Sequence, residues 1–427
     1  MALTTNNPKL NSFQPLPQAE DITSQSIELI ENIILHAKKT GHSFGFLMIN
    51  ILNYCDLLLV HNEELIQSLV EELLRYLGEI DDHYIIQKIS RDKFLVIIEH
   101  CGNLEHLNLR AEQIFNEIHN FGFHKKQITV YFHTNIGGEL LNAVNYLNPF
   151  ELINRCYIAV KIAEKDGYQN FCSYEKAKIM QNELQDEMKK ANYLHQAIEK
   201  NRLTLAFQPV IDAKTGEIGY YESLLRIVSK SNELISVGPF IKLAEKFGFI
   251  NLIDELVVTL ATSELISNPN LKLSFNLSAI SVHHTQILDK ISQIVKSFDN
   301  LSNRMIVEIT ETALMRDLSS ASIFTNNLKA LGCHVALDDF GAGYSSFKEL
   351  QMLNVDVVKI DGSFIQNIHK DKNNQLFVKV LLEICQNFNM KSVAEFVESR
   401  EIAETLMDMG IDYMQGFYFS QAIKYNS

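Results

Sequence analysis

The sequence predicts an α/β protein of two units, a smaller mixed α/β domain followed by a closed (β/α)8 barrel. Three observations carry that prediction. The chain has 427 residues, more than one hydrophobic core usually serves, so two domains are expected. From about residue 202 onward, short apolar segments alternate with helical patterns, eight strands in all. That alternation specifies a parallel sheet, and eight repeats close it into a barrel. Before residue 173, strands and helices mix without that regularity and include a hairpin. Hydrophobic residues at 46% and charged residues at 21% are the composition of a globular chain.

Taken in order, residues 1–22 are polar and carry Pro15 and Pro17, and are expected to be a flexible leader. They lack the basic-then-apolar order of a signal peptide. The first domain is expected over 23–173. It opens with a helix over 24–38, where Ile27, Ile30, Ile33 and Leu35 recur at helical spacing, followed by a strand over 44–51 and a helix over 62–77. A hairpin follows, 84–89 and 94–98, turned by Ser90-Arg91-Asp92-Lys93. Another helix and a strand over 128–133 complete it. Residues 174–201 read as an amphipathic connecting helix, with Met180, Leu184, Met188, Ala191 and Leu194 on one stripe. A helix packed on one domain fits that stripe as well as a signalling coiled coil does. The barrel is expected over 202–427, with strands at 204–211, 219–228, 272–277, 305–310, 334–339, 357–360, 391–396 and 412–417.

The formal net charge of -14 argues against sequence-independent binding to DNA or RNA, which needs a positive footprint. Six cysteines stand at wide, irregular gaps with no C-x-x-C pair; they read as reduced thiols of a cytoplasmic protein. No apolar run is long enough to span a bilayer.

Acidic and amide side chains gather late in the barrel strands. Glu222 lies in YYESLLR and Asn276 ends LSFN. Glu308 and Glu311 lie in VEITE, and Asp338 and Asp339 end HVALDD. Lys359 and Asp361 lie in VVKID, Glu395 and Glu398 in VAEFVE, and Gln415 in YMQGF. Those strand ends converge on the barrel face where active sites sit. Crowded carboxylates raise one another's pKa unless cations intervene. An all-oxygen donor set suits hard divalent ions such as Mg²⁺ or Mn²⁺. Two such ions, bridged by an aspartate, are how phosphodiester cleavage is commonly built. Singly, each residue has a plainer reading: a rim glutamate, an Asp-Asp helix cap, a salt-bridged lysine. The recurrence of acids at five successive strand ends weighs against those readings, and leaves the substrate open.

The motifs FQPVID, ESLLR, FNLSA, VEITET, ALDDFGAGYSS, VKID, AEFVE and MQGF, in that order over roughly 190–422, resemble the EAL-domain family of cyclic di-GMP phosphodiesterases. The resemblance implies a TIM-like barrel that hydrolyses cyclic di-GMP to linear pGpG with two Mg²⁺ or Mn²⁺ ions. It implies that Glu222, Asn276, Glu308 and Asp338 hold one ion, and Asp338, Asp339 and Glu395 the other. Lys359 would position the attacking water, with Glu395 a candidate base. Glu311 would brace the loop after Asp339, Arg226 would meet a phosphate, and Gln208, Glu398 and Gln415 would support the substrate and the site. Dimerisation through the barrel is implied as well. Ser223 stands where the family has alanine, and Phe396 where it has glycine, which is expected to narrow the pocket beside Glu395.

The first domain resembles an eroded GGDEF domain, the cyclase fold for cyclic di-GMP. Asn50 and Leu52 replace the usual metal-binding aspartates, and Ser90-Arg91-Asp92-Lys93-Phe94 stands at the signature hairpin. That implies no cyclase activity, and either a regulatory or a passive role. Asp339-Phe340-Gly341 mimics a kinase signature, but no H-R-D segment or phosphate loop accompanies it. Gly341-Ala342-Gly343 reads as a turning loop, and His283 and His284 as helix-surface residues. The competing functional class is a non-catalytic cyclic di-GMP receptor that signals through the connecting helix.

Overall fold

The computed structural model describes residues 24–423 except 82, 121, 126–127, 143–146, 166–169, 284, 312, 314–316 and 342–346. The expected leader, His284 and the Ala342-Gly343 part of the turn lie outside the described residues. The chain separates into two compact units, Met1–Asp186 and Glu187–Ser427.

The first unit runs α1 (Ser24–Thr40), β1 (Phe44–Ile51), α2 (Tyr54–Val60), α3 (Glu63–Ile80), β2 (Tyr84–Lys88), β3 (Lys93–Glu99), α4 (Leu104–Asn120), β4 (Phe123–Lys125), β5 (Ile128–Val130), β6 (Thr134–Leu141), α5 (Pro149–Lys165) and β7 (Phe171–Ser173). Its five-stranded sheet has the order β2-β3-β1-β6-β7. β1 is central and buried along its whole length, which is why it reads as one continuous apolar run rather than an alternating one. Leu47, Ile49 and Ile51 face one core, while Phe46 and Met48 face another.

The expected strand at 128–133 is corrected here. Among the described residues, 128–130 pair only with β4, and the strand beside β1 is β6, over TNIGGELL. Its two glycines hide it, because glycine is depleted in strands. Gly137 is there for close approach: a Cβ on it would sit 2.1 Å from the Val160 backbone nitrogen and 2.6 Å from the Cys156 carbonyl oxygen in α5.

Helix α6 (Tyr174–Glu199) leads into β8 (Leu203–Asp212), β9 (Ile218–Val228), β10 (Leu234–Ser236), α7 (Gly238–Lys246), α8 (Ile250–Ser267), β11 (Leu273–Leu277), α9 (Thr285–Ser297), β12 (Met305–Thr310), α10 (Leu318–Ala330), β13 (His334–Phe340), α11 (Phe347–Met352), β14 (Val357–Ile360), α12 (Gly362–Ile365), α13 (Lys372–Asn387), β15 (Lys391–Ala394), α14 (Arg400–Met409) and β16 (Tyr413–Met414). Strands β8, β9 and β11 to β16 close into an eight-stranded barrel, and β10 adds to β9 outside it. The sheet is not wholly parallel as expected. β8 runs antiparallel to both β9 and β16. The reason is the short link over 213–217, where a parallel crossover needs a dozen residues or more. Asp212 Oδ1 accepts from the backbone N–H groups of Lys214 and Thr215, and Gly216 takes a left-handed φ of 73°, so the chain turns straight back.

Side-chain alternation sorts the barrel into layers. Val307, Leu337, Val358, Ala394 and Met414 face outward into the large core under the helices. Tyr220, Ile306, Ala336, Val357 and Val393, with Val210, form an apolar plug inside. Two residues further along the same strands stand Glu222, Glu308, Asp338, Lys359 and Glu395. The strand period of two therefore seats a polar layer directly on an apolar one.

Replacing Gly137 with Ala is expected to destabilise the first unit by about 1–3 kcal/mol through overpacking against a backbone that cannot yield. Urea unfolding followed by circular dichroism measures it, and an unchanged midpoint would refute the close-approach role.

Candidate functional site

The polar layer is organised around one cation. Lys359 is 1% exposed. Its Nζ lies 2.7 Å from Glu308 Oε2, 2.8 Å from Glu395 Oε1, 3.0 Å from Asp338 Oδ1 and 3.5 Å from Glu222 Oε2. Burial by itself would lower the lysine pKa. The carboxylates of Asp338, Glu222, Glu308 and Glu395 outweigh that and hold the ammonium protonated well above its ordinary range. One ammonium does not neutralise four acids. Burial pushes the Glu308 carboxyl up to about 8, with Lys359 opposing and Glu222 and Asp338 adding. Burial likewise holds Glu395 well above the usual carboxylate range against the pull of Lys359. Asp339 is pushed up to about 6 by burial and by Asp338.

Amides frame the acids. Asn276 Nδ2 donates to Glu222 Oε1 at 2.9 Å, and Gln415 Nε2 donates to Glu222 Oε2 at 2.6 Å and to Gln208 Oε1 at 3.1 Å. Gln208 lies level with Glu222 across the β8–β9 hairpin and donates to the Ser420 carbonyl. Glu311 accepts from the Gly341 backbone N–H at 3.1 Å, tying the segment after β12 to the segment after Asp339.

Adjacent residues on a regular strand point to opposite faces. At Asp338-Asp339 the β13–β14 register shifts between Leu337 and Phe340, and Asp339 adopts a left-handed φ of 56°. That bulge turns the second carboxylate back. As a result Asp338, Asp339 and Glu395 each offer a carboxylate oxygen, all within 4.8 Å of one another. Glu222 and Glu308 lie outside that trio but share Lys359 with Asp338 and Glu395. The donors are all oxygens, and Glu308 Oε1 is buried with no hydrogen-bond partner among the described residues. An under-compensated acid cluster with an unpaired buried oxygen is chemically suited to a hard divalent cation.

Two adjoining clefts open over this layer, of about 520 and 470 Å³. They share Leu224, Arg226, Asp338 and Asp339 as walls. Glu398 is exposed and lines one cleft together with Glu395, Gln208 and Gln415. Arg226 is held by donation to the Leu225 carbonyl at 3.0 Å, between the two. Phe396 also lines the second cleft. It is 50% exposed, has a left-handed φ of 52°, and seats its ring on Gly362, whose added Cβ would lie 2.4 Å from Phe396 Cδ2. Its bulk is thus partly drawn aside onto α12. Ser223 turns outward and donates to the Ser274 carbonyl at 2.7 Å.

Asp361 belongs to a different job from the other strand-end acids: it caps α12 through the Ser363 backbone N–H. Asp254 is a residue that motif reading missed. It is buried in α8 and accepts from the Ser278 N–H and hydroxyl at 3.1 and 2.5 Å, which braces the segment following Asn276. A lone aspartate in an apolar helix gives no pattern to find it by.

A family model described as the EAL domain matches residues 191–422. The cyclic di-GMP phosphodiesterase PdeF of Escherichia coli (strain K12) is 37% identical over 248 residues, covering 56% of this chain and 32% of that protein. The solved structure of the PaMucR phosphodiesterase in its c-di-GMP complex is similar with a TM-score of 0.51 and 30% identity, over 55% of this chain and 97% of that one. The Vibrio cholerae LapD S helix-GGDEF-EAL chain bound to c-di-GMP is similar in fold, with a TM-score of 0.51 and 16% identity over 94% of this chain and 96% of that one. The matches span 31% to 55% of the length of the curated relatives.

Lys359→Met is expected to cost the metal-free chain about 3–5 kcal/mol, because it strands buried carboxylates without their cation; urea unfolding reads this directly, and unchanged stability would sink the central role given to the lysine. The acids also set a pH dependence. Glu308 and Asp339 have folded-state pKa values raised to about 8 and about 6. Their contribution is therefore fully present below the ordinary carboxylate range and is lost as pH rises through those values. Cation binding needs the deprotonated forms. The rise in melting temperature on adding Mg²⁺ should accordingly grow between pH about 5.5 and about 8.5, and a rise independent of pH would contradict the assignment.

Proposed function

The chain belongs to the EAL domain family, and from that membership we propose that its barrel hydrolyses cyclic di-GMP to linear pGpG with the help of divalent cations. The observation that carries this reading is the acid layer itself: Glu222, Asp338, Asp339 and Glu395 line an open cleft, and Glu308 is buried beside them on Lys359. A receptor that only bound the dinucleotide would not need so costly a cluster. The two-lobed cleft, walled on both sides by Arg226 and the Asp338-Asp339 bulge, suits a ligand of two nucleotide halves joined by phosphates.

Asp338, Asp339 and Glu395 would hold one ion, and Glu222, Asn276, Glu308 and Asp338 the other. Bound cations supply the positive charge that acidifies an attacking water and offsets charge developing on phosphorus. The protein's own groups do the rest. Arg226 meets the phosphate. Lys359 is held as the ammonium, so it orients water through its N–H groups and does not take the proton. Glu395, beside Lys359 at 2.8 Å and lining the cleft, is placed to accept the water proton. Water oxygen bonds to phosphorus, the P–O3′ bond breaks, the water proton passes to Glu395, and the 3′ oxygen leaves as a hydroxyl with a proton from solvent. Gln415 and Gln208 fix Glu222, and Glu311 fixes the chain after Asp339.

We read the first unit as a degenerate GGDEF domain without cyclase chemistry. Asn50 is buried at the end of β1, where an acid would be needed for metal. At the hairpin, Asp92 is already engaged by Lys93 at 2.5 Å and by the Ser90 hydroxyl at 2.7 Å.

The test is release of pGpG from cyclic di-GMP by the purified chain with Mg²⁺ or Mn²⁺, in the presence and absence of GTP. Glu222→Gln keeps the side chain's size and should lower turnover more than about 100-fold, since even supporting partners of metal ligands cost about 10- to 100-fold. Tight binding of cyclic di-GMP by the unaltered chain without any pGpG would replace this reading with that of a receptor.

A further inference from the structure

A second cluster of metal-ligating side chains lies in the first unit, far in sequence from the acid layer and unlike it in chemistry. His36 sits near the end of α1, His42 in the link to β1, Glu99 at the end of β3, and His100 directly after it. The fold brings them together for definite reasons. Gly41, with a left-handed φ of 74°, ends α1 and turns the chain back. Phe44 is the register partner of Glu99, so the start of β1 and the end of β3 share one edge. His100 has a left-handed φ of 60°, a conformation uncommon for a residue other than glycine.

His36, His42 and Glu99 each offer a ligand atom within 4.8 Å of the others. Nε2 of His36 and Nε2 of His100 each lie 4.0 Å from the same carboxylate oxygen, Glu99 Oε1. The His42 and His100 rings are 4.5 Å apart between centroids, and the His36 and His42 rings 5.9 Å. Three imidazoles thus surround one carboxylate at distances longer than hydrogen bonds. Bonds of about 2.0–2.1 Å to a tetrahedral ion would bring ligand atoms to about 3.3 Å from each other. The side chains of His36 and His100 are 52% and 66% exposed, so rotamer changes alone can close that gap.

We propose that His36, His42, His100 and Glu99 form a binding site for one divalent transition-metal ion of the zinc class. Imidazole with a carboxylate selects Zn²⁺, Ni²⁺ or Cu²⁺ over Mg²⁺, whereas the barrel's oxygen-only set also suits hard ions such as Mg²⁺. Occupancy would clip the end of α1 to the β1–β3 edge. The proposal does not rest on the hydrolytic reading of the barrel.

The experiment is a calorimetric titration of Zn²⁺ into the intact, tag-free chain near neutral pH, with millimolar Mg²⁺ present to occupy hard-ion sites. One Zn²⁺ per chain is expected, with a rise in melting temperature. The double variant His36→Gln, His42→Gln should bind at least about tenfold more weakly. Its circular dichroism and its Mg²⁺-dependent activity should remain those of the parent, because both side chains are at the surface. Absence of Zn²⁺ binding, suppression of it by Mg²⁺, or binding unaltered in the double variant would each overturn the proposal.

Discussion

The barrel depends on a single ammonium group buried among four carboxylates. Lys359 lies inside a ring formed by Glu222, Glu308, Asp338 and Glu395. Each of those carboxylates would be expensive to bury alone. Around one shared cation they become tolerable, yet they remain short of positive charge: burial first, then Glu222 and Asp338, push Glu308 up to about 8 against the pull of Lys359. The cluster is therefore stable enough to fold and unsatisfied enough to attract cations. Both properties come from the same ratio of acids to lysine.

That arrangement rests on the packing beneath it. Tyr220, Ile306, Ala336, Val357 and Val393 fill the barrel one strand period below the polar layer. The plug fixes the depth of the acids and keeps solvent from reaching them from the far end. The amide pair Gln208 and Gln415 closes the gap at the reversed strand β8, where the regular sequence of strand-end acids is interrupted. Departures from ideal geometry are concentrated at the rim. Asp339 and Phe396 both take left-handed backbone conformations, each costing of order 1–3 kcal/mol, and both border the cleft. At Asp339 the strain has a visible use, since it turns the carboxylate toward Asp338 and Glu395.

The two units, each considered by itself, differ in the metal chemistry they offer. The barrel presents oxygen donors in a buried layer. The first unit presents imidazoles and one carboxylate at an exposed edge, and its hairpin carries an internal Asp92–Lys93 pair. The LapD chain is similar in fold over 94% of this chain.

The sequence by itself determined the eight barrel strands and the identity of the acids, because period-two alternation and strand-end position are local properties that survive in a one-dimensional string. The reversed β8 was not read from the sequence, where the regular alternation pointed to a parallel sheet. Strand β6 was not legible, since its glycines are chosen for contact with α5 and not for strand propensity. Tertiary structure alone decided which acids meet. Glu222, Glu308, Asp338 and Glu395 turn to Lys359, while a bulge brings Asp339 beside Asp338 and Glu395, and Asp361 leaves the set to cap a helix. It also brought His36 and His42 to Glu99 and His100. Distances between side chains on separate strands depend on register, bulges and backbone handedness, and none of these is written in the spacing of residues along one strand.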